Sequence, residues 1–159
     1  FGCGDGAQLA RLKVPAYTGV DLSPTAMARC RQRCGDDPSR TFMLLDDYAG
    51  QQADVALSLD VLYHLVEDPV FDAHLRALFG AARRYVVIYS CDDDQPVPAR
   101  DAHVRRRRFS PWIAAHAPAW KRIARIPNPH PWHGDVHTGS WSDFHIYAPA
   151  AGEATRGAK

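Results

Sequence analysis

The stretch Phe1-Gly2-Cys3-Gly4-Asp5-Gly6, FGCGDG, decides how the rest of the chain is read. Glycine recurs at positions 2, 4 and 6, directly ahead of a run, residues 5–13, whose composition predicts a helix. Glycine lets a backbone turn tightly and come close to a ligand, and a helix opened by such a loop presents free N–H groups. A loop of this kind normally hangs from the carboxyl end of a strand. That strand would lie ahead of Phe1, so the chain is expected to begin inside its most informative motif.

Working outward, Ala16 to Val20 predicts a short strand ending at Asp21. Ser23 then stands where a helix N-cap belongs, with Pro24 at the first helical position and Gly35 as the stop. Thr41 to Leu45 predicts a strand ending in Asp46-Asp47, and Val55 to Leu59 another ending at Asp60. Asp68-Pro69 repeats the cap-and-proline start, and the following helix places Phe71, Leu75, Leu78, Phe79 and Ala82 on one face. Tyr85 to Ser90, YVVIYS, is the near-continuous apolar run of a strand buried on both faces. The order predicts an α/β fold with a doubly wound, mostly parallel sheet. Phe109 to His116 reads as a short helix, and Trp120 to Ile126 with Phe144 to Ala148 as an antiparallel hairpin at one sheet edge. Residues 1–149 are expected to form one domain and residues 150–159 a frayed tail.

Acidic residues end successive strands. A carboxylate at Asp21, 15 residues past Gly6, can accept both hydroxyls of a ribose. Asp46-Asp47-Tyr48 offers a polar partner and a flat face for an adenine. Together they predict one nucleotide-binding crevice at the carboxyl edge of the sheet.

FGCGDG, YTGVDLS, LLDDY, ADVALSLDVLYHL and YVVIYS, in that order, resemble the class I S-adenosylmethionine-dependent methyltransferases. The resemblance covers about residues 1–91, and SDFHIYAP is similar to the family's last strand. It implies a Rossmann-like methyltransferase fold whose first strand and preceding helix fall outside this chain. It implies S-adenosylmethionine as cofactor, with Gly2, Gly4 and Gly6 under its methionine part, Asp21 and Leu22 at the ribose, and Asp46 or Asp47 at the adenine amine. Leu59 and Asp60 would border the methionine end. A dinucleotide oxidoreductase is the nearest rival, but its fingerprint GxGxxG wants the third glycine one residue later, where this chain has Ala7. A non-catalytic domain of the same fold, docking an acidic partner, is the rival from another class.

Methyl transfer asks a protein to align the acceptor and, where needed, to take a proton. His64, whose side-chain type titrates near neutrality, is the leading candidate base, with Tyr63 and Asp60 beside it. Arg105-Arg106-Arg107-Arg108 is read either as a solvated helix approach or as a clamp for a small acidic substrate. His130, His133 and His137 with Asp135 could ligate a metal, but they lack regular ligand spacing and no metal is expected. Trp132 and Trp141 are expected to roof a substrate pocket, whereas Trp112 and Trp120 read as core.

The net charge of +1 hides a segregation: residues 36–99 hold four bases and twelve acids, residues 100–126 eight bases and one acid. The basic segment is too short beside that acidic middle for a phosphate-tracking stripe, so nucleic acid is not the expected partner. A small-molecule substrate is, and the sequence leaves the oligomeric state open. At 159 residues, 46% hydrophobic and 23% charged, the chain has an ordinary globular composition. No apolar run reaches the roughly 20 residues of a membrane helix. Cys3, Cys30, Cys34 and Cys91 form no CxxC pair, so reduced thiols and a cytoplasmic setting are expected.

Overall fold

The computed structural model describes residues 1–97, 103–135 and 137–150. The expected tail lies outside the described residues from position 151 onward. The chain divides into two compact units, Phe1–Gln51 and everything from Gln52 onward.

In the first unit, β1 (Tyr17–Asp21) and β2 (Arg40–Leu44) pair in parallel, with Asp21 opposite Leu44. The crossover between them is α1 (Pro24–Cys34). Its start is as expected: the Ser23 hydroxyl accepts the Ala26 N–H at 3.2 Å, and Pro24 has no N–H to leave unpaired. Gly35 stops it with φ +60° and an N–H to the Arg31 carbonyl at 2.9 Å. Leu9, Met27, Cys30 and Phe42 form the core of this unit, with Cys3, Leu12, Tyr17 and Leu44 packed against them.

The helix predicted over 5–13 is corrected: only Leu9–Arg11 makes a single 3-10 turn. The reason is local. Gly4 and Gly6 hold left-handed backbone, and the Asp5 side chain accepts the Ala7 N–H at 3.0 Å, so side-chain and turn bonds replace the helical ladder. A second 3-10 turn, Leu45–Asp47, follows β2.

The second unit carries a sheet in the order β3-β4-β6-β5, built from β3 (Ala53–Leu59), β4 (Ala82–Ser90), β5 (Trp120–Ile126) and β6 (Asp143–Pro149). β3 and β4 are parallel, and β6 runs antiparallel to both β4 and β5. The C-terminal hairpin thus exists as expected, with β6 as its inner strand and β5 at the edge. α2 (Asp68–Ala81) buries Phe71, Leu75, Leu78 and Phe79 against β3 and β4, whose Ala56, Val86 and Ile88 are buried in turn. α3 (Ser110–His116) is fastened to α2 because the Trp112 Nε1–H donates to Asp72 at 2.9 Å while Arg76 grips the same carboxylate. Trp112 and Trp120, expected in the core, are only partly buried and pack on buried Phe79 from its edge, at 6.4 and 5.5 Å between ring centres. No helix among the described residues is long and apolar enough to cross a membrane.

Candidate active site

Gly2, Gly4 and Gly6 have φ of +71°, +56° and +77°, the left-handed region where a side chain is strained. The loop is stitched to the tip of β1. The Gly2 N–H donates to the Val20 carbonyl at 2.8 Å, and the Gly4 N–H to Asp21 Oδ2 at 2.8 Å. Asp21 Oδ1 accepts the Ser23 N–H at 3.0 Å. One carboxylate therefore fixes both the glycine loop and the entry to α1. It has about four lone-pair sites, so about two remain for ligand hydroxyls. A Cβ on Gly4 would meet nothing within 4 Å, whereas one on Gly6 would sit 3.1 Å from Cys30 Sγ. Gly4 faces open space and Gly6 faces the core.

The thiols behind the loop are free. Cys30 Sγ–H donates to the Gly4 carbonyl at 3.2 Å. Burial pushes the Cys3 thiol up to about 12, with Cys30 and Asp21 adding to the rise. These thiols stay protonated and act as packing behind the turn.

Beyond Asp21, Leu22 is 67% exposed, an apolar surface beside the carboxylate. The parallel register brings the end of β2 alongside the end of β1, and Asp46 and Asp47 sit exposed on the turn that follows. The Tyr48 hydroxyl donates to the Gln51 carbonyl at 2.8 Å, and its ring meets Phe1 edge-on at 5.0 Å. The first unit thus gathers Gly2, Gly4, Gly6, Asp21, Leu22, Asp46 and Asp47 at one end of its two strands.

In the second unit, Leu59 ends β3 and Asp60 follows with φ +59°, a left-handed position that aspartate tolerates better than most residues. Its N–H donates to the Tyr89 carbonyl at 3.0 Å. The Tyr63 and Ser142 hydroxyls stand beside its carboxylate. Burial raises the Asp60 carboxyl above the usual carboxylate range, the two hydroxyls and His64 opposing that rise. Tyr63 is held above its ordinary value by burial first and by the Asp60 charge second, so it stays a donor. His64 is exposed, tilted on Tyr63 at 4.6 Å and stacked on His103 at 6.1 Å. The three expected catalytic candidates thus come together, with Tyr63 beside the Asp60 carboxylate and His64 flanking them.

The arginine run is an irregular strap that leads into α3. Arg105 donates to Asp68 Oδ1 at 2.9 Å and to the Val66 carbonyl at 3.0 Å. Arg107, buried, donates to the same Asp68 oxygen at 2.7 Å and to Val66, and lies 4.6 Å over the Phe71 ring. The Arg105 and Arg107 guanidiniums thus tie the strap to the start of α2. Arg106 pairs with Asp93 and lies 5.0 Å over the Trp141 ring. Arg108 is exposed, and its backbone N–H donates to Asp94 at 2.9 Å.

Arg106 also lines a cavity of about 340 Å³, together with Arg125, Asn128, Trp132, Trp141 and Asp143. Trp132 and Trp141 stand 4.6 Å apart between ring centres at 56°. The histidine loop beside it is held by its own residues: Thr138 Oγ1 hydrogen-bonds His133 Nε2 and Asp135 Oδ2, each at 3.0 Å. Among the described residues no group of His, Cys, Asp and Glu side chains is placed to hold a metal ion.

The profile of a family described as a methyltransferase domain matches residues 1–86, more than half of the 159-residue chain. The chain belongs to the methyltransferase domain family. Its fold is that of the class I S-adenosylmethionine-dependent methyltransferases. Magnesium protoporphyrin IX methyltransferase (ChlM) of Synechocystis PCC 6803, solved with bound S-adenosylmethionine, superimposes with a TM-score of 0.66 at 18% identity, over 94% of this chain and 67% of that one. The N-methyltransferase NodS of Bradyrhizobium japonicum WM9 gives 0.67 at 17% identity, over 93% of this chain and 82% of that one. A pericyclic reaction enzyme gives 0.64 at 13%, over 94% and 42%. One fold thus serves different chemistries, and function has to be argued from the site. No curated protein matches the chain.

The methyltransferase domain also contains functional candidates that sequence reasoning passed over. Ser142 on Asp60, and Tyr89 bonded to both Ser140 (3.2 Å) and Asn128 (2.6 Å), are brought in from distant positions. Serine and asparagine in a polar loop carry no periodic signal. Only Tyr89, at the end of an apolar strand, stood where a site residue could have been sought.

Proposed function

We propose that this methyltransferase domain binds S-adenosylmethionine and moves its methyl group to an oxygen or nitrogen of a small molecule. The observation that carries the reading is Asp21, whose two oxygens are anchored by the Gly4 and Ser23 amides with lone pairs to spare beside a left-handed glycine loop. The open space over Gly4, which a Cβ would intrude on, and the exposed Leu22 fit the same group.

The cofactor, when bound, supplies a methyl group activated as a sulfonium. Gly2, Gly4 and Gly6 would bring the backbone close to its amino-acid part, and Asp21 would accept the ribose hydroxyls. Leu22 would cover the apolar side of the sugar and base, and Asp46 or Asp47 would accept the adenine amine. Leu59 and Asp60 would border the methionine end. Asp60 is the group best suited to take a proton from the acceptor, because its raised carboxyl is a stronger base than an ordinary aspartate. Tyr63 orients it by donating a hydrogen bond, and exposed His64 is left as a flanking group. On the substrate side, Arg106 and Trp132 are the members of the expected set that line a cavity.

The test is methyl transfer from labelled S-adenosylmethionine to a panel of phenols, carboxylates and amines. Asp60→Asn should lower kcat by roughly a hundredfold or more, and His64→Ala by less than about tenfold. The rate should fall on the acid side with an apparent pKa above the ordinary carboxylate range. The reverse ranking of the two variants would reassign the base to His64.

A further inference from the structure

We propose that the cavity lined by Arg106, Trp132 and Trp141 is the acceptor pocket, and that the acceptor is a planar aromatic carboxylate. This deepens the methyltransferase reading and rests on it. The cavity of about 340 Å³ is at the small end of ligand pockets, enough for one or two fused rings. Its apolar walls are two indoles 4.6 Å apart at 56°, with Trp132 37% exposed and able to take a flat partner on its face.

The polar groups of the wall say what that partner must carry. Its acceptors are each engaged by a donor of the chain. Asp143 Oδ1 takes the Asn128 N–H at 2.8 Å and Oδ2 takes Arg125 at 2.8 and 2.6 Å, while Asn128 Oδ1 takes the His130 N–H at 2.8 Å. What is left over is donors: Trp141 Nε1 and Arg106 Nε are both buried without a hydrogen-bond partner. Two guanidiniums line the space, Arg125 paired with Asp143 and Arg106 with Asp93. A hydrocarbon would leave both donors unanswered, and a cation would face the guanidiniums. A carboxylate on a ring offers acceptors to both donors, and a guanidinium that already holds one carboxylate has further N–H groups for a second.

The same wall leads to the proposed base. Trp141 is followed by buried Ser142, whose hydroxyl stands beside the Asp60 carboxylate. Ser140, on the other side of Trp141, accepts from Tyr89 at 3.2 Å. An acceptor held by its acid at Arg106 and its ring at Trp132 therefore lies in a pocket whose lining is joined to Asp60.

The test uses calorimetric titration of the protein with 2-naphthoate, its neutral amide 2-naphthamide, and the saturated decalin-2-carboxylate. 2-Naphthoate should bind at least about tenfold more tightly than either analogue, one lacking the charge and the other the flat ring. Trp132→Ala, measured on protein whose folding is checked by circular dichroism, should cost about tenfold for naphthoate and little for the decalin acid. Arg106→Met should erase the preference for acid over amide. Equal binding of all three probes, or none at millimolar concentration, overturns the proposal. S-adenosylhomocysteine is titrated in parallel to keep the two readings apart. Its binding without naphthoate binding sinks the pocket and leaves the methyltransferase reading standing; the opposite result spares the cavity and sinks the methyltransferase reading.

Discussion

Three glycines in the first unit separate two demands that a glycine can answer, and substituting each by alanine distinguishes them. At Gly4, with φ +56° and no atom within 4 Å of a new Cβ, the only cost is left-handed backbone, about 1–2 kcal/mol. At Gly6 the same backbone cost applies, and the Cβ would also press on buried Cys30 Sγ at 3.1 Å, disturbing its bond to the Gly4 carbonyl. The sum is about 2–4 kcal/mol. Gly19 has no left-handed backbone to strain, but its Cβ would lie 2.8 Å from Phe42 Cδ1 and 2.9 Å from Cys3 Sγ. Overpacking of that kind costs about 1–3 kcal/mol. Urea unfolding should therefore rank Gly4→Ala mildest. Affinity for S-adenosylhomocysteine, measured on the folded variants, should single it out the other way: a methyl group over the open face of the loop should cost roughly tenfold, or about 1.4 kcal/mol. Gly19→Ala should keep its affinity once folded. If Gly4→Ala bound the ligand as well as the unmodified protein, or destabilised it as much as Gly6→Ala, the loop would not be the open cradle described.

Two further outcomes follow from the second unit. His74 on α2 bonds fully buried Ser58 at 2.9 Å, and burial lowers its pKa to about 3. A proton bound by the unfolded chain at its ordinary pKa of about 6.5 is excluded from the folded one, so stability is complete above pH ~6.5 and falls as pH drops toward ~3. By pH 5 the loss should be about 2 kcal/mol, and His74→Gln should remove that slope from urea midpoints measured between pH 7 and 5. In the arginine strap, buried Arg107 and exposed Arg105 share the same partners. Arg107→Ala should cost about 2 kcal/mol and Arg105→Ala less than about 0.5 in thermal unfolding, because only the former leaves buried contacts empty.

Much of the fold was legible because its signals are local. Ser23-Pro24 and Gly35 bracket α1 as read, and the apolar run at 85–90 lies within β4. Asp21 and the acidic strand ends were legible for a similar reason, since each stands at the end of a strand that periodicity can locate, and the glycine loop is legible from its composition alone. The helix over 5–13 was misread since propensity cannot register that Asp5 and three left-handed glycines divert the backbone bonds. The arginine run shows the other limit. Four identical residues carry one signal in sequence, yet burial and Asp68 give Arg105 and Arg107 a structural duty and leave Arg106 beside the cavity. Ser142 on Asp60, and Tyr89 with Asn128 and Ser140, depend on pairing between β4 and β6 across more than fifty residues, which no local pattern encodes.

The most direct test of the central claim is calorimetric titration of the protein with S-adenosylhomocysteine, with Asp21→Ala beside it. One site per chain, weakened at least about tenfold when the carboxylate that anchors Gly4 and Ser23 is removed, is the predicted result. Absence of binding, or an Asp21→Ala protein that binds with undiminished affinity, would contradict the account.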